Sequence, residues 1–436
     1  MQETASTVDR TSLESIRAGK FRLVEVIKRA RSAGVAELQL KAADAERKKL
    51  HNLEEDLKGS IRVFCRIRPL IARERSLGDT QVATPVDATT VAVQLGRHTE
   101  HFSFDAVFVP GSQEEVFEDC RHLVQSVLDG YNVTLFAYGQ TGAGKTFTMY
   151  GTPGDEGTAP RTIEELYSCA GRDSDRYDHV ISASMMELYR NELVDLVNPR
   201  ALAASSTNST PRRRASTFTS PTGSGGFSPA GSARRESAIG FGHLADMPML
   251  PRLSVKTDPR TGDVQIDNLT EERCATAADL LKLLERGAQE RRVAATALNS
   301  ESSRSHLILT VRVIRINKAT GERVQGKIMM CDLAGSERLK KSEVTGDAQK
   351  EAIEINKALT AIGDVIEALT SKQKHVPYKN HKLTQVLQDA LGGTSKTLMF
   401  VNCSPASSNL EETVNALKYA ARVKKVTNPI KRGSVM

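Results

Sequence analysis

Apolar and polar residues follow two different periods between about residues 60 and 426. Alternating or continuous apolar runs of strand length fall at 61–68, 133–137, 180–186, 307–316 and 327–331. Helix-like stretches, rich in good helix formers and free of proline, fall at 115–128, 277–287, 349–369 and 410–423. The alternation of the two element types predicts an α/β fold built on a central sheet.

The first 60 residues have a different pattern. Residues 1–34 are mixed, and the apolar residues around Val24 and Ile27 indicate at most a short helix. Residues 35–58 contain neither glycine nor proline, so a helix is predicted there. Leu50, Leu53 and Leu57 have coiled-coil spacing, but the pattern lasts for at most two heptads. It fits the end of a coiled coil and a solvated single helix about equally well.

Residues 200–250 interrupt the pattern of strands and helices. They are rich in Ser, Thr, Ala, Gly and Pro, and this composition buries too little apolar surface to offset the entropy of ordering. A disordered insertion is therefore predicted. It contains six arginines and two acidic residues, and Ser216 and Ser237 follow arginines as basophilic kinases prefer. A solvated loop without function is an equal alternative.

Composition narrows the class of protein. The 39% hydrophobic and 26% charged residues are ordinary for a globular chain. The six cysteines are scattered without a C-x-x-C pair, which indicates reduced thiols and neither a disulfide framework nor a zinc site. No apolar run is long enough to span a membrane. The net charge of +7 predicts an acidic partner, either nucleic acid or an acidic protein surface.

The candidate chemistry centres on a glycine-rich loop that follows the apolar run at 133–137. Residues 139–146 read G-Q-T-G-A-G-K-T and fit the phosphate-loop pattern G-x-x-x-x-G-K-[ST]. The glycines allow successive backbone N–H groups to converge on a phosphate. Lys145 supplies a positive charge, and Thr146 supplies a hydroxyl for Mg²⁺. A plain glycine-rich turn is the alternative, but the strand–loop–helix context favours nucleotide binding.

Two other polar stretches offer the remaining parts of a nucleotide hydrolase. An apolar strand ends at Asp332, which suits an acid that orients Mg²⁺-bound water, and Gly335 exposes a backbone N–H for a γ-phosphate. Residues 299–306 form a dense polar cluster whose hydroxyls suit a metal and an attacking water. Arg304 and Glu337 have opposite charges, which predicts an ion pair between the two stretches.

Together with R-I-R-P at 66–69, these motifs resemble the nucleotide site of kinesin motor domains. They occur in the order found in that family, and the resemblance runs from about residue 61 to residue 426, apart from the insertion at 200–250. It implies the P-loop NTPase kinesin fold, in which a mixed, mostly parallel β-sheet is flanked by helices on both faces. It also implies ATP and ADP as ligands, Mg²⁺ as cofactor and active hydrolysis of ATP.

The resemblance assigns a role to each motif residue. The residues it implies in nucleotide binding are Arg66, Arg68, Pro69, Gly139, Gln140, Thr141, Gly142, Ala143, Gly144, Lys145, Thr146, Phe147 and Asn299. Among these, the 66–69 motif flanks the adenine and Phe147 stacks on it. The implied catalytic residues are Ser302, Ser303, Arg304, Asp332, Gly335 and Glu337. The implied Mg²⁺ ligands are Thr146, Ser303 and, through water, Asp332.

A track-binding surface follows from the same resemblance. The family's long relay helix opens at Asn356, and residues 375–384 look like its microtubule-binding loop. The residues implied in contact with acidic tubulin are Lys340, Lys341, Lys357, Tyr378, Lys379 and Lys382. Ordinary solvated surface is the alternative for these lysines.

The position of the helix before the first strand resembles the C-terminal-motor, minus-end-directed kinesin-14 class, and is closest to its plant calmodulin-binding subclass. The implied division is an N-terminal segment at 1–34, a helical neck at 35–59, a motor domain at 60–426 and a tail at 427–436. Ser60 stands where this class often has asparagine. The class's long upstream coiled coil and calmodulin-binding helix are not in this sequence, so a piece of a longer protein is expected and calcium control is not predicted.

The sequence thus predicts a microtubule-stimulated ATPase that drives minus-end-directed movement or crosslinking, located in the cytoplasm on the microtubule cytoskeleton. The predicted partners are microtubules, a second copy through the neck helix, and a kinase acting on Ser216 and Ser237. Nucleic acid and a membrane span are not expected. The alternatives are a non-motile microtubule-binding protein with a nucleotide switch and, less favoured, a P-loop nucleic-acid motor.

Overall fold

The computed structural model describes residues 8–10, 12–33, 35, 37–198, 252–258, 263–297, 302–337 and 347–432. The predicted insertion, with Ser216 and Ser237, lies outside this range, as do Asn299, Lys340 and Lys341. None of the helices in the described part of the chain is both long and apolar enough to cross a bilayer.

Two helices precede the sheet, α1 at Leu13–Ser32 and α2 at Glu37–Lys58. The helices that follow are shorter on average and lie between or after the strands: α3 Ala72–Ser76, α4 Gln113–Cys120, α5 His122–Leu128, α6 Lys145–Met149, α7 Thr158–Arg172, α8 Ala277–Ala297, α9 Asp347–Thr370, α10 Lys382–Val386 and α11 Leu410–Val423.

The main sheet has nine strands among the described residues. The strands that form it are β1 Arg62–Ile67, β5 Ala106–Phe108, β6 Asn132–Tyr138, β9 Tyr177–Tyr189, β10 Glu192–Asp195, β13 Glu272–Arg273, β14 His306–Asn317, β15 Arg323–Asp332 and β16 Lys396–Cys403. Their spatial order is β10-β9-β14-β15-β6-β16-β1-β5, with β13 also paired to β9. Small sheets are formed by β2 Ala83–Pro85, β3 Thr90–Leu95 and β4 His98–Ser103, by β7 Gly151–Thr152 and β8 Asp155–Glu156, and by β11 Ser254–Thr257 and β12 Val264–Asp267.

The main sheet is parallel on one side and antiparallel on the other. Strands β15, β6, β16, β1 and β5 pair in parallel, whereas β14 runs antiparallel to β15 and β9. Because parallel strands end at one edge, the carboxyl ends of β6 and β15 lie side by side, with Ala137 opposite Asp332. This places the loop after β6 next to the loop after β15.

Successive strand residues face two separate cores. On one face, Phe136, Cys331 and Met399 pack with the apolar sides of α9, α10 and α11. On the other face, Leu135 and Met330 pack with α4, α5, α7 and α8. Helices therefore cover both faces of a mixed sheet, as the sequence predicted.

Most predicted elements are confirmed, with changes in length. The helix predicted at 277–287 continues to Ala297 because Gly287 does not end it. A Cβ at Gly287 would lie 2.2 Å from the sulfur of Met185 on β9, so this glycine allows the helix to approach the sheet closely. The helix predicted at 115–128 is two helices that meet at Arg121.

The expectation of at most a short helix in residues 1–34 is wrong. Helix α1 has 20 residues, and Ile16, Leu23 and Ile27 are buried in clusters with residues of α2. Packing against α2 stabilises a helix of this length. The predicted helix at 35–58 is confirmed as α2.

Helix α2 is attached to the main body by ionic contacts near its end. Asp56 accepts from Arg62 at 3.1 Å and from Lys396 at 2.8 Å. His51 Nε2 lies 3.2 Å from Asp105 Oδ1, and Lys424 Nζ also lies 3.2 Å from that atom. The same helix end meets the chain after α11, where Asn428 N donates to Gly59 O at 2.7 Å.

Candidate functional site

The glycine-rich loop begins where β6 ends at Tyr138, and α6 begins directly after it at Lys145. Gly144, the residue before α6, has φ of 97° and adopts the left-handed conformation that glycine tolerates best. Gly139 lies so close to β16 that a Cβ there would be 2.2 Å from the carbonyl oxygen of Asn402. The sequence motif thus forms the strand–loop–helix arrangement that a phosphate loop requires.

Lys145 is folded back into this loop. Its side chain is buried, and Nζ donates to the carbonyl oxygens of Gly139 at 2.9 Å and Gln140 at 3.0 Å. Burial lowers the pKa of Lys145, while the nearby carboxylates of Asp332 and Glu337 oppose this shift. The amine is therefore held inside the loop, where an anionic phosphate is a stronger partner than two carbonyl groups.

Thr146 and Asp332 form the candidate metal site. Thr146 Oγ1 donates to Asp332 Oδ2 at 2.6 Å, and Asp332 is 2% exposed. Its other oxygen, Oδ1, is buried without a hydrogen-bond partner in the described part of the chain. A hydroxyl beside a buried carboxylate with unused acceptor capacity fits Mg²⁺, which prefers oxygen ligands and retains several waters. Ser303, the third predicted ligand, is half-buried in the short 3-10 turn Ser302–Arg304.

The two predicted switch stretches are bonded to each other and to the loop. Gly335 N donates to Ser303 O at 2.9 Å, and Ser336 N donates to Gly139 O at 3.0 Å. Ala334 N donates to Nδ1 of His306 at 3.1 Å. Three stretches that are far apart in the sequence therefore meet at one edge of the sheet.

Glu337 contacts the phosphate loop. Its two carboxylate oxygens accept from the backbone N of Thr141 at 2.7 Å and from Thr141 Oγ1 at 2.6 Å. Arg304 lies at the end of the 3-10 turn Ser302–Arg304 and is half-buried. Its predicted ion pair with Glu337 stays a prediction. The structure describes only the backbone of Ser302, and Asn299 lies outside the described residues.

The residues predicted to flank the base differ in exposure. Pro69 is exposed, and Phe147 is 38% exposed. Arg66 is buried behind the Phe147 ring, with its guanidinium carbon 5.2 Å from the ring centroid. It donates to Pro110 O, Gly111 O, Gln113 and Thr148. This geometry shows Arg66 supporting Phe147, whereas direct contact of Arg66 with a base stays a prediction.

Arg68 braces the phosphate loop from the side. It donates to Gly142 O at 2.7 Å, to both carboxylate oxygens of Glu74 at 2.7 and 2.5 Å, and to Ser404 Oγ at 3.1 Å. The hydrogen bonds from Arg68 hold the pKa of Glu74 below its usual range, although burial opposes this. The loop is thereby tied to α3 and to the end of β16.

Sequence reasoning missed Arg291, a buried residue of α8. Its guanidinium donates to Ser305 Oγ at 3.2 Å and Ser305 O at 3.0 Å. It also lies 3.4 Å from Glu187 and 3.7 Å from Asp332 Oδ2. The sequence contains no signal for this role, since Arg291 and Arg292 stand side by side in the helix and only Arg291 is buried.

The predicted track residues in the described part of the chain lie on α9 and the segment after it. Lys357 and Lys379 are exposed. Lys382 Nζ lies 3.1 Å from Glu192, and Tyr378 Oη donates to Leu391 O at 2.5 Å. The structure therefore leaves Lys357 and Lys379 accessible, although Lys357 Nζ also lies 2.5 Å from Glu354. Lys382 and Tyr378 likewise have structural contacts.

Known proteins resemble the chain in sequence and in structure. The kinesin motor domain family model matches residues 66–426. KIN-14E from Arabidopsis thaliana is 44% identical over 401 residues, which cover 91% of this chain and 28% of that protein. KIN-14I from Oryza sativa subsp. japonica is 40% identical over 433 residues, which cover 98% of this chain and 30% of that protein. The chain thus spans less than a third of the length of these two relatives.

Two solved structures share the fold. A structure of a fast kinesin has a TM-score of 0.71 and 32% identity, with 86% of this chain and 93% of that chain covered. A KIF14 dimer in complex with a microtubule has a TM-score of 0.69 and 28% identity, with 86% and 96% covered. These matches confirm the predicted fold and the nucleotide-binding class. The two sequence relatives described above are kinesin-14 proteins, and the chain belongs to the kinesin motor domain family.

Proposed function

We propose that this chain is a microtubule-stimulated ATPase that converts ATP hydrolysis into minus-end-directed movement along, or crosslinking of, microtubules. The observation that supports this most directly is the joining of three motifs at one sheet edge, through the Gly335 N to Ser303 O and Ser336 N to Gly139 O hydrogen bonds. A site whose two switch stretches contact both each other and the phosphate loop can respond to the γ-phosphate.

ATP and ADP are the proposed nucleotides, and Mg²⁺ is the proposed metal. Thr146, Ser303 and, through water, Asp332 would hold the metal, which neutralises charge on the β- and γ-phosphates when bound. Lys145 exchanges its carbonyl partners for phosphate oxygens. Gly335 N, which donates to Ser303 O here, would turn to the γ-phosphate. Ser302 would face the γ-phosphate and the attacking water, and Glu337 would pair with Arg304.

The relay helix α9 connects this site with the proposed track surface. Helix α9 follows the second switch stretch in the sequence, and its exposed Lys357 lies on the predicted microtubule face. Closure of the switch stretches around the γ-phosphate would tilt α9 and change the affinity for the acidic filament. Microtubule association and a cytoplasmic, cytoskeletal location are part of the proposal.

The test is steady-state ATPase activity with and without polymerised tubulin, with Glu337→Ala as the control. We expect strong stimulation by microtubules in the natural chain and its loss in Glu337→Ala. Turnover that ignores microtubules would reject the track assignment and leave the nucleotide site intact. Microtubule binding without turnover would favour the alternative of a non-motile protein with a nucleotide switch.

The direction of movement needs its own test. Minus-end direction is proposed from the likeness to kinesin-14 proteins and from the position of α2 before β1. Gliding of polarity-marked microtubules over surface-attached protein measures direction. Plus-end-directed gliding would reject this part of the proposal and leave the ATPase unaffected.

We further propose that the arginines of residues 200–250 add affinity for the track and that phosphorylation of Ser216 or Ser237 weakens it. The support is compositional, since the insertion contains six arginines and two acidic residues. Deletion of residues 200–250 should reduce the salt dependence of microtubule affinity. An unchanged salt dependence would reject the idea.

A further inference from the structure

Helices α1 and α2 pack side by side as an antiparallel hairpin. Ile27 of α1 lies in one apolar cluster with Leu40 and Ala43 of α2. Ile16 and Leu23 of α1 lie in a second cluster with Leu50, and Leu53 packs against it. Leu40 and Leu50 are each only 1% exposed. The apolar side of α2 is therefore covered by the chain's own first helix.

A buried acid makes this pairing specific. Glu54 of α2 is 3% exposed and pairs with Arg17 Nε at 3.0 Å and with Lys20 Nζ, both on α1. While α1 is in place, Arg17 and Lys20 compensate the buried charge of Glu54. Removing these cations from the packed hairpin is strongly destabilising, because the carboxylate stays buried without them.

The surface that α1 covers overlaps the surface that a second copy would use. The predicted coiled-coil seam of α2 includes Leu50, Leu53 and Leu57. In the hairpin, Leu50 is fully covered and Leu53 is half-buried, whereas Leu57 remains 49% exposed. Two copies cannot pair through this seam while α1 occupies it.

The opposite side of α2 is also engaged. His51 and Asp56 contact Asp105, Arg62 and Lys396 of the motor body, as described above. Helix α2 thus lies between α1 and the motor body. A second copy could reach α2 only after α2 separates from α1 or from the motor body.

Connectivity favours pairing within one chain. Residues 33–36 alone separate α1 from α2. A short connection between two binding elements gives an effective concentration on the order of millimolar, far above the micromolar concentration of a second copy in solution. We infer that α1 is a built-in competitor for the seam of α2, which keeps the neck closed within one chain and prevents pairing of two copies until α1 is displaced.

A crosslink distinguishes pairing within a chain from pairing between chains. Arg10 Nη2 and Glu46 Oε1 are 2.8 Å apart, and their side chains are 59% and 17% exposed, so a short bis-maleimide attached to a cysteine at position 10 can reach a cysteine at position 46. All six native cysteines are buried and do not compete. The double variant Arg10→Cys/Glu46→Cys should give an internally linked species of one chain's mass, 47.6 kDa. A covalent dimer, or no linkage at all, would overturn the inference.

Charge reversal on α1 tests the competition itself. In the same background, Arg17→Glu/Lys20→Glu should lower the rate of the internal crosslink on the order of tenfold, because two acidic side chains then face Glu54. It should also produce concentration-dependent dimers in sedimentation, since the seam residues Leu50, Leu53 and Leu57 of α2 are unchanged and become uncovered. Adding Glu54→Lys should restore both the crosslink and the monomer.

The matched control is Arg22→Glu/Arg29→Glu, which makes the same change in net charge at exposed positions of α1. This control should leave the rate of the internal crosslink and the monomer mass in sedimentation unchanged. Equal effects of both double variants, or failure of Glu54→Lys to rescue, would reject the role of the ion pair. Microtubule-free ATPase activity, measured in parallel, should be the same in all variants, so this inference can fail while the proposed motor function stands.

Discussion

Some residues of the candidate site can be predicted from the sequence, and others cannot. Lys145, Thr146 and Asp332 occur in recognisable motifs, and the structure places them together. Arg291 has no motif, although it contacts Asp332, Glu187 and Ser305. A motif is visible because residue types recur at a short, fixed spacing, whereas no spacing around Arg291 indicates its partners, which it meets because α8 packs on the sheet.

At Gly335, the addition of a single methyl group is predicted to lower the ATPase activity strongly. A Cβ there would lie 2.3 Å from Glu337 Oε2 and 2.3 Å from Thr141 Oγ1. We expect Gly335→Ala to lower microtubule-stimulated turnover on the order of 100-fold, because the second switch stretch is displaced from the phosphate loop. Steady-state ATPase measurement checks this. Gly171→Ala is the control, since a Cβ at Gly171 meets nothing within 4 Å.

Arg291 is predicted to stabilise the site through charge. Arg291→Ala leaves the buried carboxylates of Glu187 and Asp332 without this cation, so the free energy of unfolding should fall by about 3 kcal/mol. Urea denaturation measures the change. The neighbouring Arg292 is exposed, so Arg292→Ala should change the stability little. Equal losses in the two variants would contradict the assignment.

Secondary-structure elements were predictable where pattern and packing agree. Helix α11 and the strands of the sheet follow the hydrophobic period of the sequence. Helix α1 and the second half of α8 were not predictable, because their lengths depend on partners distant in the sequence. Gly287 illustrates this: glycine usually signals a helix end, but here it fits against Met185.

Helix α9 and the segment after it present the surface proposed to bind the track. Lys379→Glu should weaken microtubule affinity roughly tenfold at low salt, because Lys379 is exposed and would face an acidic filament. Co-sedimentation at increasing salt checks this, and the difference should shrink as salt screens the charges. Lys282→Glu is the control. Lys282 is exposed on α8, and α8 packs on the face of the sheet opposite to α9, away from the proposed track surface. Equal weakening by both substitutions would argue against a local contact.

At the scale of the whole molecule, buried histidines link stability to pH. Burial lowers the pKa of His306 to about 3, and burial followed by the charge of Arg62 lowers the pKa of His122 to about 3. Both side chains are therefore neutral in the folded protein down to low pH. In the unfolded chain they bind protons below a pKa of about 6.5.

The unfolded state then binds more protons than the folded state between about pH 6.5 and pH 3, so stability falls as the pH is lowered through this window. Each histidine contributes a slope of at most about 1.4 kcal/mol per pH unit. Urea denaturation from pH 7 to pH 5 measures it. His122→Gln, which cannot titrate, should reduce the slope by up to half, and an unchanged slope would contradict the assignment.

The sequence by itself determined the α/β fold class, several strands and helices, the phosphate loop, the candidate Mg²⁺ residues and the family. These features depend on hydrophobic period and on short spacings, which a linear chain records directly. Tertiary structure alone decided that Glu337 contacts Thr141, that Arg291 lies beside Asp332, and that α1 covers the seam of α2. Each of these contacts joins residues from different elements, so only folding determines which side chains share a buried, low-dielectric environment.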